Sequence, residues 1–254
     1  MRRVLVVVPF ALDEAGLARR RAQTTEVSLH PEVDYEFRGV AAGPTSFQSQ
    51  HDWLLLDVAV LEAGLSAEDE GYDAVVVDTV SDSGVDALRS MLRIPVVGPG
   101  RSSLLFALTL GRGFGILAQW EPALMRWRKA LDEWGLERHC SGIEHFDTEP
   151  DFAGLIGAKS DEILPRMEAA CERLIEDGAD VVCLGSTTMH EAHGLLSARL
   201  PVPIVNPGPL SYKLVEMLLA ADVTQSPKAY PQPLVSKREM IHAMVRGAAG
   251  ESSP

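Results

Sequence analysis

"VVCLGSTTMH", Val181 to His190, starts as an unbroken apolar run and ends in a turn of small hydroxyl residues. "VVVDTVSDSG", Val75 to Gly84, has the same form. Runs of this length without polar alternation suit strands buried on both faces, as found in parallel sheets covered by helices. In such sheets the turn after the strand lies where ligands bind.

The likeness extends outward from these two stretches. "YDAVVVDTVSDSG" is followed by "RIPVVGPGRSSLLFAL", and "ADVVCLGSTTMHE" by "PVPIVNPGPLSYKLVEML". Asp73 matches Asp180 and Thr79 matches Ser186, both 107 apart, while Pro95 matches Pro203 at 108. A third pair, "VLVVVPF" ending at Phe10 and "GFGILAQW" ending at Trp120, is 110 apart. A near-constant offset across three landmarks is hard to obtain by chance.

Short apolar runs bounded by turn residues predict strands at Val4–Val8, Ala74–Val77, Val96–Val97, Gly113–Ala118, Val181–Leu184 and Ile204–Val205. Helical spacing predicts helices over Ser49–Ala63, Ser103–Leu110, Pro122–Trp134, Ser160–Asp177 and Leu210–Ala221. Strands alternating with helices define the α/β class with parallel sheets. The duplication resolves it into two similar α/β lobes, residues 1–97 with 206–254 and residues 98–205, related by a pseudo-twofold axis. That axis would bring the two strand-end edges face to face, with Thr79 and Ser186 flanking a cleft. The Pro-rich "TQSPKAYPQP" and the tail through "GAAGESSP" are expected to wrap back over the first lobe, the last ten or so residues fraying.

Composition narrows the partners. The chain has 254 residues, 46% hydrophobic and 23% charged, which suits a globular protein with one large or two small domains. A net charge of -13 argues against nucleic acid, because phosphate binding needs clustered Lys and Arg. The one tight basic run, Arg19 to Arg21, is expected to cap or solvate a helix. Three cysteines (Cys140, Cys171, Cys183) without metal-ligand spacing suit a reducing cytoplasm. "MRRVLVVVPFALDEAG" is too short in its apolar part for a signal peptide, and no segment approaches the roughly 20 apolar residues of a membrane span. A cytoplasmic protein away from membranes is expected.

Turns of small residues between a buried strand and a helix present backbone N–H groups and hydroxyls to an anion. Either turn could hold a carboxylate, or the enolate-like oxygen formed when a carbon acid loses its proton. The competing reading is that these Ser and Thr residues cap helices.

"GYDAVVVDTVSDSGVDALRSMLRIPVVGPG", "AAGPTSFQSQHD" and "GADVVCLGSTTM" together resemble the Asp/Glu racemase superfamily, and within it the hydantoin and allantoin racemase branch. The resemblance runs from the first strand to "KAYPQP". It implies two α/β lobes, a site between them, no metal, no organic cofactor and a homo-oligomer. It also implies two cysteines, one after each lobe's strand, working on opposite faces of a substrate's α-carbon. A thiol's pKa near 8.5 suits that task. Here Thr79 and Ser186 occupy those two positions. Neither hydroxyl serves readily as a base without a strong activating partner, which counts against the two-thiol mechanism.

Cys183 lies inside an apolar strand and is read as a small hydrophobe. Asp78, at the strand end, could act as a base if desolvation raises its pKa. His190, one turn beyond Ser186, is the other candidate for proton transfer. Asp82 is expected to cap the helix that follows it. "HEAH" lacks the spacing of a zinc-binding HExxH helix. The repeat adds Pro9, Phe10, Gln119 and Trp120 as substrate-binding candidates, with Val80, Ser81, Thr187 and Thr188 in the two turns. Gly43, Pro44 and Ser46 match a loop that lines the site in the related racemases. Phe10 and Trp120 could frame an apolar or cyclic part of a substrate, or pack the lobe interface.

Three readings follow. The first is a cofactor-independent isomerase, racemase or epimerase-like, acting on the α-carbon of an amino acid, hydantoin or similar small carbonyl compound with a non-thiol acid/base. The second is a lyase, decarboxylase or hydratase with the same enolate-stabilising pocket. The third is a small-molecule-binding protein without catalysis. Neither turn carries an arginine matched to a second carboxylate, which disfavours a dicarboxylate substrate.

Overall fold

The computed structural model describes residues 1–149 and 160–249. The chain divides into two compact units, Met1–Gly98 with Ser211–Pro254, and Pro99–Leu210.

The first unit contains strands β1 (Arg2–Val8), β2 (Val33–Gly39), β3 (Ala74–Val77) and β4 (Val96–Val97), all parallel, in the order β2-β1-β3-β4. Helices α1 (Glu14–Arg21), α2 (Gln50–Gly64) and α3 (Val85–Met91) belong to it. The even-numbered side chains Val4, Val6, Val8, Ala74 and Val76 form one core layer with Phe37, Tyr212 and Val215. The opposite face meets α2 and α3. A Cβ at Gly64 would stand 2.9 Å from Leu88 and 3.5 Å from Val7, so the glycine sets the close approach of helix to sheet. The start of α2 is fixed locally: Ser49 and Asp52 form a reciprocal capping box.

The second unit repeats the plan. Helix α4 (Pro99–Leu110) precedes β5 (Phe114–Ala118), α5 (Glu121–Trp134), β6 (Cys140–His145), α6 (Ser160–Glu176), β7 (Val181–Leu184), α7 (Ala192–Arg199) and β8 (Ile204–Val205). Its strand order, β6-β5-β7-β8, is that of the first sheet. Leu117, Val182 and Leu184 are buried with Met167, Cys171 and Leu174 of α6 and Leu196 of α7.

The repeat has a hydrogen-bond basis. Asp73 Oδ2 accepts the Arg3 amide at 2.8 Å, and Asp180 Oδ2 accepts that of Arg112 at the same distance. The Pro95 carbonyl accepts Val75 N at 2.9 Å, and that of Pro203 accepts Val182 N at 3.0 Å. At the far end, Asp78 N donates to Val7 O and Gly185 N to Leu117 O, both at 2.8 Å. The residues that recur in sequence thus bracket one strand in each unit.

The six expected strands form, and two more join them, β2 and β6, which hold the same edge position in each sheet. Their sequences, "VDYEFRG" and "CSGIEH", mix polar and apolar residues because an edge strand is only partly covered. Helix α8 (Pro207–Ala221) carries the chain from the second unit into the first. The stretch after it is tied down. Gln225 Nε2 donates to the carbonyls of Leu92 and Ile94, and Gln225 Oε1 accepts Val96 N. Helix α9 (Arg238–Ala249) then meets α2 through His242 Nδ1 and Glu62 Oε1 at 2.8 Å. The expected fraying is corrected as far as Ala249, where helical periodicity buries Val245. Residues 250–254 lie outside the described residues. Among the described residues no helix is long and apolar enough to cross a membrane.

Candidate functional site

In the first unit the carboxyl-end edge of the sheet carries Pro9 and Phe10 after β1, the loop Gly43–Ser46 after β2, and Asp78 and Thr79 after β3. Val40 N donates to Val8 O at 3.1 Å, holding that loop beside the end of β1. Pro9 is buried and Phe10 half-buried. The Phe10 ring lies 5.4 Å from that of Phe47, which stacks on Trp53 at the same spacing. Gly43 is exposed, while Pro44 and Ser46 are half-buried.

Asp78 makes the last ladder bond of β3, and Thr79 is the first residue beyond it. Thr79 Oγ1 lies 3.1 Å from Ser81 Oγ, which lies 2.9 Å from Ser83 Oγ. The chain of hydroxyls runs from half-buried Thr79 inward to buried Ser83. Among the described residues the amides of Thr79 and Val80 have no protein acceptor. The turn closes with Asp82 N donating to Thr79 O at 3.1 Å, and Gly84 N donating to Asp57 Oδ1 at 3.0 Å.

One expectation for this turn is corrected. Asp82 does not cap α3: Gly84 holds that position at a φ of 71°, and no side chain caps the helix. The Asp82 carboxyl lies instead against Gly98, where any Cβ would come within 2.5 Å of it. Asp78, the candidate base, has its carboxylate engaged by neighbouring side chains. Its Oδ2 accepts Arg20 Nε at 2.9 Å, Arg20 Nη2 at 2.6 Å and Gln23 Nε2 at 3.2 Å. The basic run predicts capping or solvation for Arg20, but its side chain is 1% exposed. Its flanking residues Arg19 and Arg21 do sit in the last turn of α1, where cations suit the helix dipole.

In the second unit the corresponding edge carries Gln119 and Trp120 after β5, His145 at the end of β6, Gly185 and Ser186 after β7, and Asn206 after β8. Gln119 is buried, and half-buried Trp120 opens α5. A Cβ at Gly185 would meet Leu117 O at 2.6 Å, so this strand end needs glycine. Ser186 Oγ lies 2.8 Å from Thr188 Oγ1 and accepts Thr188 N at 3.2 Å. The serine therefore does cap a short turn, Thr187–Met189. The Ser186 amide, among the described residues, has no protein acceptor. Thr187 and Thr188 are buried.

His190 is 1% exposed, and its carbonyl accepts Asn206 Nδ2 at 3.3 Å. His193 Nε2 lies 3.1 Å from the Ile204 carbonyl, a structural contact. Sequence patterning missed Arg20, Gln23, Ser83, His145 and Asn206. The partner of Asp78 lies 58 residues away, beyond any local pattern, whereas Asn206 directly follows an expected strand and could have been read from the repeat.

The cysteines are unsuited to proton transfer. Burial pushes the Cys171 thiol up to about 12 and that of Cys183 higher still. Cys140, half-buried, is raised by burial as well. Among the described residues no three His, Cys, Asp or Glu side chains are grouped as metal ligands.

Each unit thus ends its third strand in a hydroxyl that heads a short hydroxyl chain and adjoins a backbone amide without a protein acceptor. This is the outline of a duplicated parallel α/β protein able to hold an anionic oxygen at two strand ends. Residues 17–215 match the family model described as Asp/Glu/Hydantoin racemase, and the chain belongs to that family of enzymes. It is 26% identical over 241 residues to a hydantoin racemase of Pseudomonas sp. (strain NS671), covering 92% of this chain and 89% of the relative. The allantoin racemase from Klebsiella pneumoniae shares the fold with a TM-score of 0.82 at 24% identity, over 93% of this chain and 95% of that one. A mutant of arylmalonate decarboxylase in its liganded form shares it with a TM-score of 0.62 at 17% identity, over 91% and 97% of the two chains.

Proposed function

We propose that this protein is a cofactor-independent isomerase that inverts the α-carbon of a hydantoin, amino acid or related small carbonyl compound without thiols. The observation that carries this reading is the pair of strand-end turns at Thr79 and Ser186, matched in hydroxyls and open amides, in a chain of the racemase family. In this reading a strand-end turn, through the hydroxyl and amides of Thr79 and Val80 in one unit or of Ser186 in the other, binds and polarises a carbonyl whose oxygen gains charge as the α-proton leaves. His190 takes the α-proton and solvent water returns one to the opposite face of the planar intermediate, while Phe10 and Trp120 are candidate contacts for the apolar part of the substrate and Gln119 and Ser46 candidate polar contacts.

Proton NMR in deuterium oxide with hydantoins, allantoin and amino acids tests it. The expected result is loss of an α-proton signal without a new compound, slowed by Thr79→Val and by Ser186→Ala. No loss of an α-proton signal with any compound, while one of them protects the protein against thermal unfolding, would replace the reading with a binding role.

A second reading is favoured by the inequality of the two turns. Asp78 is committed to Arg20 in the first, while His190 follows the second, so acid/base capacity is one-sided. One-sided proton delivery suits a lyase or decarboxylase, which needs no pair of equal acid/base groups. Carbon dioxide release from a substituted malonate would select it.

A further inference from the structure

We infer that Arg20 and Asp78 are positioning residues that fix the Thr79 turn and cancel the charge beside it. The inference rests on the reading of Thr79 as a group that contacts substrate. Asp78, directly after β3, makes the last bond to the sheet through its amide to Val7 O, so any shift of Asp78 moves the first residue beyond it. Its carboxylate is gripped by Arg20 of α1, through Nε and Nη2, and by Gln23 in the turn after that helix, whose Nε2 reaches Oδ1 at 3.3 Å as well as Oδ2. Gln23 Nε2 also donates to the Arg20 carbonyl at 3.2 Å, closing the cluster on the end of that helix. Helix α1 follows directly from Pro9 and Phe10, so one ion pair joins the segments after β1 and β3.

A purely structural account of the pair is weak on two grounds. Its side chains are 1% and 2% exposed, and burying two charges costs desolvation that apolar residues of similar size would avoid. The second unit also builds the equivalent strand end, with the same 2.8 Å ladder bond, from Gly185 and without a side chain at all. The sheet does not require a carboxylate there. What differs between the two turns is the neighbour of the hydroxyl. An unpaired carboxylate next to Thr79 would oppose an oxygen gaining negative charge, and Arg20 removes that opposition while holding the backbone in place.

The test compares wild type with Arg20→Met combined with Asp78→Leu, and with Arg20→Lys. Amide hydrogen exchange at Asp78 and Asp82 and the kcat and KM of α-proton exchange are measured after circular dichroism shows a folded chain. In the apolar double variant the two amides are expected to exchange about tenfold faster, with β1 amides unchanged. Its kcat is expected to fall about a hundredfold, with KM held within about threefold. Arg20→Lys, which keeps the charge and loses the fork, should recover part of kcat and serves as the test if the double variant does not fold. Wild-type amide exchange and kcat in the double variant, or wild-type kcat in Arg20→Lys, would overturn the inference. If wild type itself removes no α-proton from any compound, the proposed function fails, and the amide exchange alone decides whether the pair fixes the turn.

Discussion

The buried Arg20–Asp78 pair yields a quantitative prediction for stability. Asp78→Asn leaves a guanidinium that is 1% exposed without its counter-ion, and Arg20→Met leaves the carboxylate with Gln23 as its remaining cluster donor. Breaking such a pair from one side costs about 3–5 kcal/mol, because the surviving charge stays desolvated. Replacing both partners with apolar residues removes both charges and should cost about 1 kcal/mol or less. The cycle Arg20→Met, Asp78→Leu and their combination is therefore expected to give a coupling of several kcal/mol, with the double variant more stable than either single one. Urea denaturation followed by circular dichroism measures it, and for a chain of this size each single variant should melt about 6–20 °C lower. Additive single variants, each costing about 0.5 kcal/mol or less, would refute the reasoning, since that is the behaviour of a solvated pair.

Further outcomes are expected from other sites. Gly185→Ala should cost about 1–3 kcal/mol in a melt and slow α-proton exchange, because the added Cβ would lie 2.6 Å from Leu117 O and must displace the strand end that carries Ser186. Mass spectrometry after iodoacetamide treatment at pH 8 should find Cys140 as the reactive site in the folded protein, and all three cysteines modified in urea, because Cys171 and Cys183 are buried thiols. Acid should destabilise the first unit. Hydrogen bonds from Arg3 and Tyr72 hold Glu36 below the ordinary carboxylate range. For Asp73, burial acts upward but is outweighed by the Arg3 amide and by Arg2. Groups lowered on folding stabilise above their unfolded values near about 4 and lose that contribution as pH falls through the folded ones. Urea midpoints should therefore fall steadily below about pH 4.5, and a midpoint flat down to about pH 3 would contradict the assignment.

The sequence by itself determined the class, the duplication and the two strand-end turns. Apolar runs such as Val181–Leu184 are buried on both faces whatever surrounds them, and the matched Asp73 and Asp180 make the same local bond in each unit. Edge strands β2 and β6 escaped because partial exposure leaves no continuous apolar signal. In the site, Thr79 and Ser186 were legible as strand-end residues, but the states of their neighbours were not. Asp78 was visible at a buried strand end, where burial alone would make a base of it. Only tertiary structure brought Arg20 and Gln23 of another segment onto its oxygens and made it a partnered ion. Asp82 shows the same limit, since its place over Gly98 depends on where β4 ends in space. Periodicity and spacing report which residues leave water. Which buried charge meets which depends on long-range contacts that no local pattern encodes.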